Sequence, residues 1–249
     1  MTWDTEDLVP GPVPLWFQIS ERLMTSLDKG EFAVGDALPS EAELGRRFGV
    51  SRTTARTALD SLESRGLTER KSGRGSIVLP PRVEQPLNLL SSFNEDMRAR
   101  GLTPGYRDVR VDVAHAPADV AADLAVLQRA KLVRIRRLLL ADGIPMGTSE
   151  SWLAPTAADP EDELPDKLSI MSLYVWLERH RNLRVSAGHE IIEAGIANAD
   201  QATALDIAVG DPVLVARRTA RDPQGVPVEY SIRHYRADRY RYRIELTRL

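Results

Sequence analysis

Leu38-Pro39-Ser40-Glu41-Ala42-Glu43-Leu44, followed by Phe48-Gly49-Val50-Ser51-Arg52-Thr53-Thr54-Ala55-Arg56, decides how the chain begins. Ser40 with Glu43 three residues later is the pattern of a capping box, so a helix starts there. Glu43, Leu44, Arg46, Arg47 and Phe48 carry that helix to Gly49, where it stops. Ser51 caps the next helix, whose interior runs from Arg52 to Arg65 and ends at Gly66. Two short helices joined by Gly49-Val50-Ser51 form a helix-turn-helix. In the second of them Ala55, Ala58, Leu59 and Leu62 pack inward, while Arg52, Thr53, Arg56, Thr57 and Asp60 lie on or beside the outer face.

On the upstream side, Leu15, Ile19, Leu23 and Leu27 recur every fourth residue behind Pro14, one stripe of an amphipathic helix that Gly30 ends. Downstream, Leu67-Thr68-Glu69-Arg70-Lys71, Ser72-Gly73-Arg74-Gly75 and Ser76-Ile77-Val78-Leu79 read as a β-hairpin with a Gly-Arg-Gly tip. A helix-turn-helix followed by such a hairpin is a winged helix. The charge distribution agrees. The chain has a net charge of −3, yet the window from Leu44 to Pro80 holds Arg46, Arg47, Arg52, Arg56, Arg65, Arg70, Lys71 and Arg74 against Asp60, Glu63 and Glu69. A local basic patch, rather than global charge, is what phosphate binding requires. Small side chains flanked by arginines suit a helix that enters a major groove. Arg74, between two residues without side chains, is placed to reach a phosphate or the minor groove. The bland alternative is a solvated helix face, which charge runs often are.

Other classes fall away on composition. With 249 residues the chain makes one large domain or two small ones, and 43% hydrophobic with 28% charged residues is an ordinary globular mixture. No apolar run is long enough to span a membrane, and the acidic Met1–Pro12 segment lacks the pattern of a secretory signal. The absence of cysteine excludes a disulfide scaffold, thiol catalysis and Cys-based metal sites. His115, His180, His189 and His234 have neither metal-ligand spacing nor a paired carboxylate, and no Gly-x-Ser-x-Gly or phosphate-cradling loop occurs. The expectation is a cytoplasmic protein with no catalytic constellation, no metal and no cofactor.

Pro80-Pro81-Arg82-Val83-Glu84-Gln85-Pro86 is rich in proline and poor in apolar residues, and reads as an extended linker. The expected organisation is therefore 12–79 for the winged helix, 80–86 for the linker and 87–249 for a second domain. That second part contains a repeat. Ala116-Pro117-Ala118-Asp119, a helix, Leu132-Val133-Arg134-Ile135-Arg136-Arg137, a turn at Asp142-Gly143 and then Ile144-Pro145 form one copy. Ala197-Asn198-Ala199-Asp200, a helix, Val213-Leu214-Val215-Ala216-Arg217-Arg218, a turn at Pro223-Gln224-Gly225 and then Val226-Pro227 form the other. The offset is 81 residues from Asp119 to Asp200 and from Arg136 to Arg217, and 82 from Pro145 to Pro227. Each copy reads helix, strand, hairpin, strand, which implies a duplicated α+β domain with one antiparallel sheet.

The first eighty residues, through Pro14-Leu15-Trp16-Phe17-Gln18-Ile19, the two stretches quoted first, Gly66-Leu67 and Gly73-Arg74-Gly75, resemble the DNA-binding domain of the GntR family of bacterial repressors. That family usually has Arg where this chain has Ala42; Arg46, one turn later, is the candidate substitute. The second part resembles the UTRA effector domain of the HutC subfamily, a chorismate-lyase-like fold. Its matches are Phe93-Asn94-Glu95-Asp96-Met97 with Gly101, Ala141-Asp142-Gly143-Ile144-Pro145, and Gly225-Val226-Pro227-Val228-Glu229-Tyr230 continuing to Tyr235 and Tyr240. The resemblance implies a homodimeric repressor that leaves a double-stranded DNA operator when a small-molecule effector binds. A lyase-like enzyme fused to a DNA-binding module is the alternative. The expected DNA contacts are Ser40, Arg46, Ser51, Arg52, Thr53, Thr54, Arg56, Ser72, Gly73, Arg74 and Gly75.

The effector residues come partly from strand alternation. Val133, Ile135, Arg137 and Leu139 share a face, so Arg137 lies among apolar neighbours and needs an anion, either a carboxylate such as Glu229 or a ligand. On the last expected strand Glu229, Ser231, Arg233 and Tyr235 share a face. Sugar-phosphate-binding relatives carry Arg-x-Arg before the first hairpin and Glu after it. This chain has Arg137 but Leu139, and Ser149 at the glutamate position with Glu150 next to it. The resemblance also implies that Asn94, Glu229 and Tyr235 line the family pocket, so the expected effector site is Asn94, Arg137, Ser149, Glu150, Glu229 and Tyr235, for a small polar or anionic metabolite.

Overall fold

Hydroxyl caps and left-handed glycines set the helix limits of the first unit. A computed structural model describes residues 2–5, 7–79, 82–86, 90–159 and 171–247. The chain divides into two units, Met1–Arg82 and Val83–Leu249. In the first, α1 (Leu15–Asp28), α2 (Glu41–Phe48) and α3 (Arg52–Ser64) precede a hairpin of β1 (Thr68–Lys71) and β2 (Gly75–Val78). The Ser40 hydroxyl accepts from the Glu43 amide, and the Glu43 carboxylate accepts from the Ser40 amide at 2.8 Å. That reciprocal cap is worth about 1 kcal/mol. Gly49 then adopts φ 64°, a backbone only glycine takes without cost, and turns the chain into α3. Ile19, Leu23, Leu44, Ala55, Ala58 and Leu62 are wholly buried and lock the three helices together.

In the second unit the strands are β3 (Val83–Pro86), β4 (Pro104–His115), β5 (Lys131–Ala141), β6 (Ile144–Leu153), β7 (Ala187–Ile196), β8 (Pro212–Arg221), β9 (Pro227–Arg236) and β10 (Tyr240–Arg243). The helices are α4 (Phe93–Ala99), α5 (Ala118–Asp123), α6 (Leu173–Arg181) and α7 (Ala199–Leu205). Six strands form an antiparallel sheet in the order β4-β5-β6-β9-β8-β7. Read inward from both edges, this order pairs each strand with its repeat partner. The Glu150–Ile232 pair of the central β6–β9 ladder links two residues 82 apart, so it lies on the pseudo-twofold axis of the duplication. The repeat helices α5 and α7 cover one face, against Leu132 and Trp152 and against Leu138 and Val213. The other face is covered by α4, α6 and the strands β3 and β10.

Two expectations change. Val83–Pro86 is not linker but a strand, paired in parallel with β10. Val83 and Gln85 are buried and alternate with Glu84 and Pro86, a period of two that the flanking prolines obscure in the sequence. The strand at Pro227 is also not the last, because Tyr240–Arg243 returns to meet β3. Pro80 and Pro81 of the expected linker, and Leu87 and Leu249 that bound the expected second domain, lie outside the described residues.

Candidate nucleic-acid interface and ligand cavity

Six of the eight basic residues between Leu44 and Pro80 meet an acid within the first unit. Arg47 reaches Asp7, Arg65 reaches Glu21, Arg70 reaches Asp60 and Lys71 reaches Glu69, at 2.6–3.4 Å. Arg52 and Arg56 share Glu41. Arg46, exposed on α2, and Arg74, exposed at the hairpin tip, have no acid partner among the described residues. Arg74 sits between Gly73 (φ 72°) and Gly75 (φ 80°), and nothing lies near where a Cβ would stand at either position. The glycines are therefore required by the backbone conformation of the tip, beside any need for close approach. Ser72 is exposed on the same turn.

The recognition helix presents Arg52, Thr53 and Arg56 to solvent. Ser51 caps it by accepting from the Thr54 amide at 3.1 Å, and its hydroxyl lies 2.9 Å from that of Thr54. Ser40, Ser51 and Thr54 thus serve helix ends as well as lying near the expected groove. Glu41 was not among the expected residues. Its carboxylate accepts from Arg52 Nε at 2.7 Å and from Arg56 Nε at 2.8 Å. These hydrogen bonds, from Arg56 first and then Arg52, bring its pKa down to about 2. An acid at a helix start ordinarily reads as a partner of the helix dipole. Only the tertiary turn brings the guanidinium groups to it.

In the second unit Arg137, Ser149, Glu229 and Arg233 converge with Tyr106, Tyr174 and Phe93 around a cavity of about 20 Å³. That is about the space of one water molecule. Arg137 stacks over the Tyr106 ring at 4.5 Å, and Tyr106 donates to Asn94 Oδ1 at 2.6 Å. Tyr235 lies beside the cavity wall, stacked on Tyr240 at 3.8 Å. Glu150 does not join this group. Neighbouring residues on a strand point to opposite faces, and Glu150 accepts from Trp152 Nε1 at 2.9 Å on the far side of the sheet. There it lines a wider groove of about 640 Å³ whose wall also includes Arg136, Arg137, Ser149 and His234, so three of the expected effector residues border that groove.

The cavity's electrostatics are uneven. Arg218, the repeat equivalent of Arg137, donates through Nε and Nη2 to both oxygens of Glu190 at 3.1 Å and through Nη1 to the Ser91 carbonyl. Arg137 has no such partner: its Nε and Nη1 are buried without a hydrogen bond, as is Glu229 Oε2. The internal Arg137–Glu229 pair is therefore not formed. The reason lies one strand away. The position 81 residues before Glu190 is Val109, within the β4 bulge that faces Arg137. On the opposite face the duplication keeps its ion pair in both copies, as Arg136–Asp112 and Arg217–Glu193. Among the described residues, Arg137 is the member of these repeat-related arginines that has no acid within 4 Å. Ser149, Ser151, Ser231 and Tyr174 add further buried hydroxyls without partners. Asp96, on α4, is raised above the ordinary aspartate value by burial, against the hydrogen bond from Ser91 and the charge of Arg100. Among the described residues no group of acids and histidines could hold a metal, and no helix is long and apolar enough to cross a membrane.

A winged helix-turn-helix joined to a duplicated domain with a charged, closed cavity defines a DNA-binding regulator that answers to a small molecule. Residues 17–78 match the bacterial regulatory proteins of the gntR family, and residues 99–241 match the UTRA domain. The chain is 36% identical to the HTH-type transcriptional repressor NagR of Bacillus subtilis (strain 168), over 93% of this chain and 94% of that protein. It is 33% identical to the HTH-type transcriptional regulator Rv0792c of Mycobacterium tuberculosis, over 96% and 88%. The crystal structure of PhnF from Mycobacterium smegmatis superposes with a TM-score of 0.65 at 28% identity, covering 92% of this chain and 98% of that one. The chain belongs to the GntR family of transcriptional regulators and carries a UTRA effector domain. These relatives are regulators, which sets the lyase-like alternative aside.

Proposed function

We propose that this regulator is a cytoplasmic, non-enzymatic homodimeric repressor that holds an inverted-repeat operator and releases it when a small anionic ligand binds beside Arg137. The observation that carries the reading is the broken symmetry of the cavity. Arg218 has its counter-ion built in, and Arg137, 8% exposed, has none among the described residues. A buried guanidinium without an anion is costly, so a ligand that brings one is bound strongly at that point. Glu229 Oε2 and the unpartnered serine hydroxyls favour a ligand that also carries hydroxyl or amine donors. The absence of a second arginine at Leu139 supports a single anionic group over a phosphorylated sugar. Dimerisation follows from surface: one winged helix covers one half-site, and two-fold dimers read palindromes.

The test is a titration of the protein–operator complex with candidate metabolites, for the wild type and for Arg137→Met. An inducer that releases wild-type protein and leaves the Arg137→Met complex intact supports the reading. Equal release of both puts the ligand elsewhere.

A further inference from the structure

We propose that Glu41 is a specificity-determining residue of the DNA-binding unit, a positioning group that orients Arg52 and Arg56 toward base edges and weakens their hold on bare phosphate. The inference rests on the reading that these two arginines face DNA. Glu41 is the first residue of α2, while Arg52 and Arg56 stand one turn apart on α3, so one carboxylate bridges both helices of the helix-turn-helix. The carboxylate is mostly covered, 17% exposed, whereas the Arg52 and Arg56 side chains are 79% and 50% exposed.

The donor atoms used are informative. Arg52 gives Glu41 its Nε, and neither Nη nitrogen is bonded to the carboxylate. Two parallel Nη donors match the paired O6 and N7 acceptors of guanine in the major groove. Arg56 gives Nε at 2.8 Å and Nη2 at 3.3 Å, so one edge of its guanidinium is occupied and the outward Nη1 and Nη2 hydrogens remain for an acceptor. Both arginines thereby keep outward Nη donors for a base contact, Arg52 held to Glu41 by one bond and Arg56 by two. Both lose rotamer freedom before DNA arrives, which lowers the ordering cost of the specific complex. The carboxylate also cancels one of the two positive charges. A phosphate approaching from a random register meets a net charge of one instead of two, so sequence-independent binding is weakened.

The experiment uses the full chain and two probes: a duplex selected by the wild-type protein from random 30-bp DNA, and a scrambled duplex of the same composition. Affinity is measured by fluorescence anisotropy over a salt series. For Glu41→Gln the expected result is about a threefold gain on the scrambled duplex and a salt slope steeper by about one. On the selected duplex a loss of about tenfold is expected, the value of a bidentate contact. Glu41→Asp keeps the charge and shortens the reach; it should lose the preference for the selected duplex with the slope unchanged. Retention of the wild-type ratio between the duplexes in both variants would overturn the proposal, because a purely structural or purely electrostatic Glu41 moves both affinities together. Arg52→Ala separates the premises. If it leaves selected-duplex affinity unchanged, the placement of α3 on DNA is wrong and the proposal falls with it. If it weakens that duplex and the Glu41 variants do not, only the role of Glu41 falls.

Discussion

Replacing Arg137 by Met should stabilise the ligand-free protein, whereas the same change at its repeat equivalent Arg218 should destabilise it. Both side chains are buried, at 8% and 2% exposure. At Arg137 the substitution removes two buried donors that have no partner. Each such group costs about 1–3 kcal/mol. The loss is the stacking of the guanidinium over Tyr106, worth about 1–2 kcal/mol in a desolvated setting. Met keeps much of the packing of the stem. The net effect is a gain of about 1 kcal/mol, which raises Tm by about 2–4 °C in a domain of this size. At Arg218 the change strips the mostly covered Glu190 carboxylate of its bidentate partner and leaves it only Arg233 at 3.9 Å, a loss of roughly 3 kcal/mol. Thermal and urea unfolding of the two variants, followed by circular dichroism without ligand, measures both signs. A loss at Arg137→Met as large as that at Arg218→Met would refute the claim that Arg137 waits for an external anion. Val109→Glu is the complementary change: it supplies the carboxylate missing from the first repeat, and it should abolish the response to an inducer while DNA binding persists.

Further outcomes follow from the same structure. Arg74→Ala, at an exposed tip with no acid partner, should flatten the salt dependence of operator binding by about one unit; an unaltered slope would mean that the hairpin does not touch DNA. Ser51→Ala removes the α3 cap and should cost about 1 kcal/mol, read as a shift in the urea midpoint of the DNA-binding unit. Light scattering of the full chain at micromolar concentration should give twice the chain mass, and a monomer there would count against the dimeric repressor. Burial, and then the charge of Arg217, hold His234 below its ordinary 6.5, so the native form is the neutral ring. Its contribution to stability is complete above about pH 6.5 and is lost as pH falls through the lowered value. His234→Gln should therefore flatten the decline in stability that sets in below about pH 6.5.

The winged helix was legible because its information is local. Ser40, Gly49, Ser51 and Gly66 each mark a helix end within a few residues, and the buried stripe Ala55, Ala58, Leu59 and Leu62 follows from helical period alone. The duplicated sheet was legible because a constant offset survives in the sequence. What stayed hidden depends on contacts across elements. Glu41 is 11 and 15 residues from the arginines it holds, and nothing in its own neighbourhood distinguishes it from any acid at a helix start. Val83–Pro86 looked like linker because a four-residue strand between prolines has too little pattern, and its partner lies at Tyr240–Arg243. Glu150 and Ser149 were expected together; the pleat gives the small closed cavity Ser149 alone, while both border the wider groove. The missing counter-ion of Arg137 was available in principle. Carrying the 81-residue offset from Glu190 to Val109 needs only the sequence, but its meaning appears once Arg218 is seen gripping Glu190.

The size of the switch limits how the cavity can act on the rest of the chain. A hundredfold fall in operator affinity requires about 2.7 kcal/mol of differential ligand binding between the two states. The cavity wall continues from Arg233 along β9 to Tyr235, which stacks on Tyr240 of β10 at 3.8 Å and 7° between the ring planes. Tyr240 pairs in turn with Val83, and its hydroxyl bonds the buried Gln85 of β3. The strand with which the effector unit begins is therefore two contacts from the ligand cavity. One aromatic pair is worth about 0.5–1.5 kcal/mol, so disturbing the Tyr235–Tyr240 stack alone falls short of what release demands. Adding the Tyr240–Gln85 hydrogen bond, at about 1 kcal/mol, brings the total near the requirement. On the proposed function, a ligand that only filled the space beside Arg137 is expected to bind without releasing DNA. One that also shifts Tyr235 can couple its binding to the strand that leads back toward the winged helix.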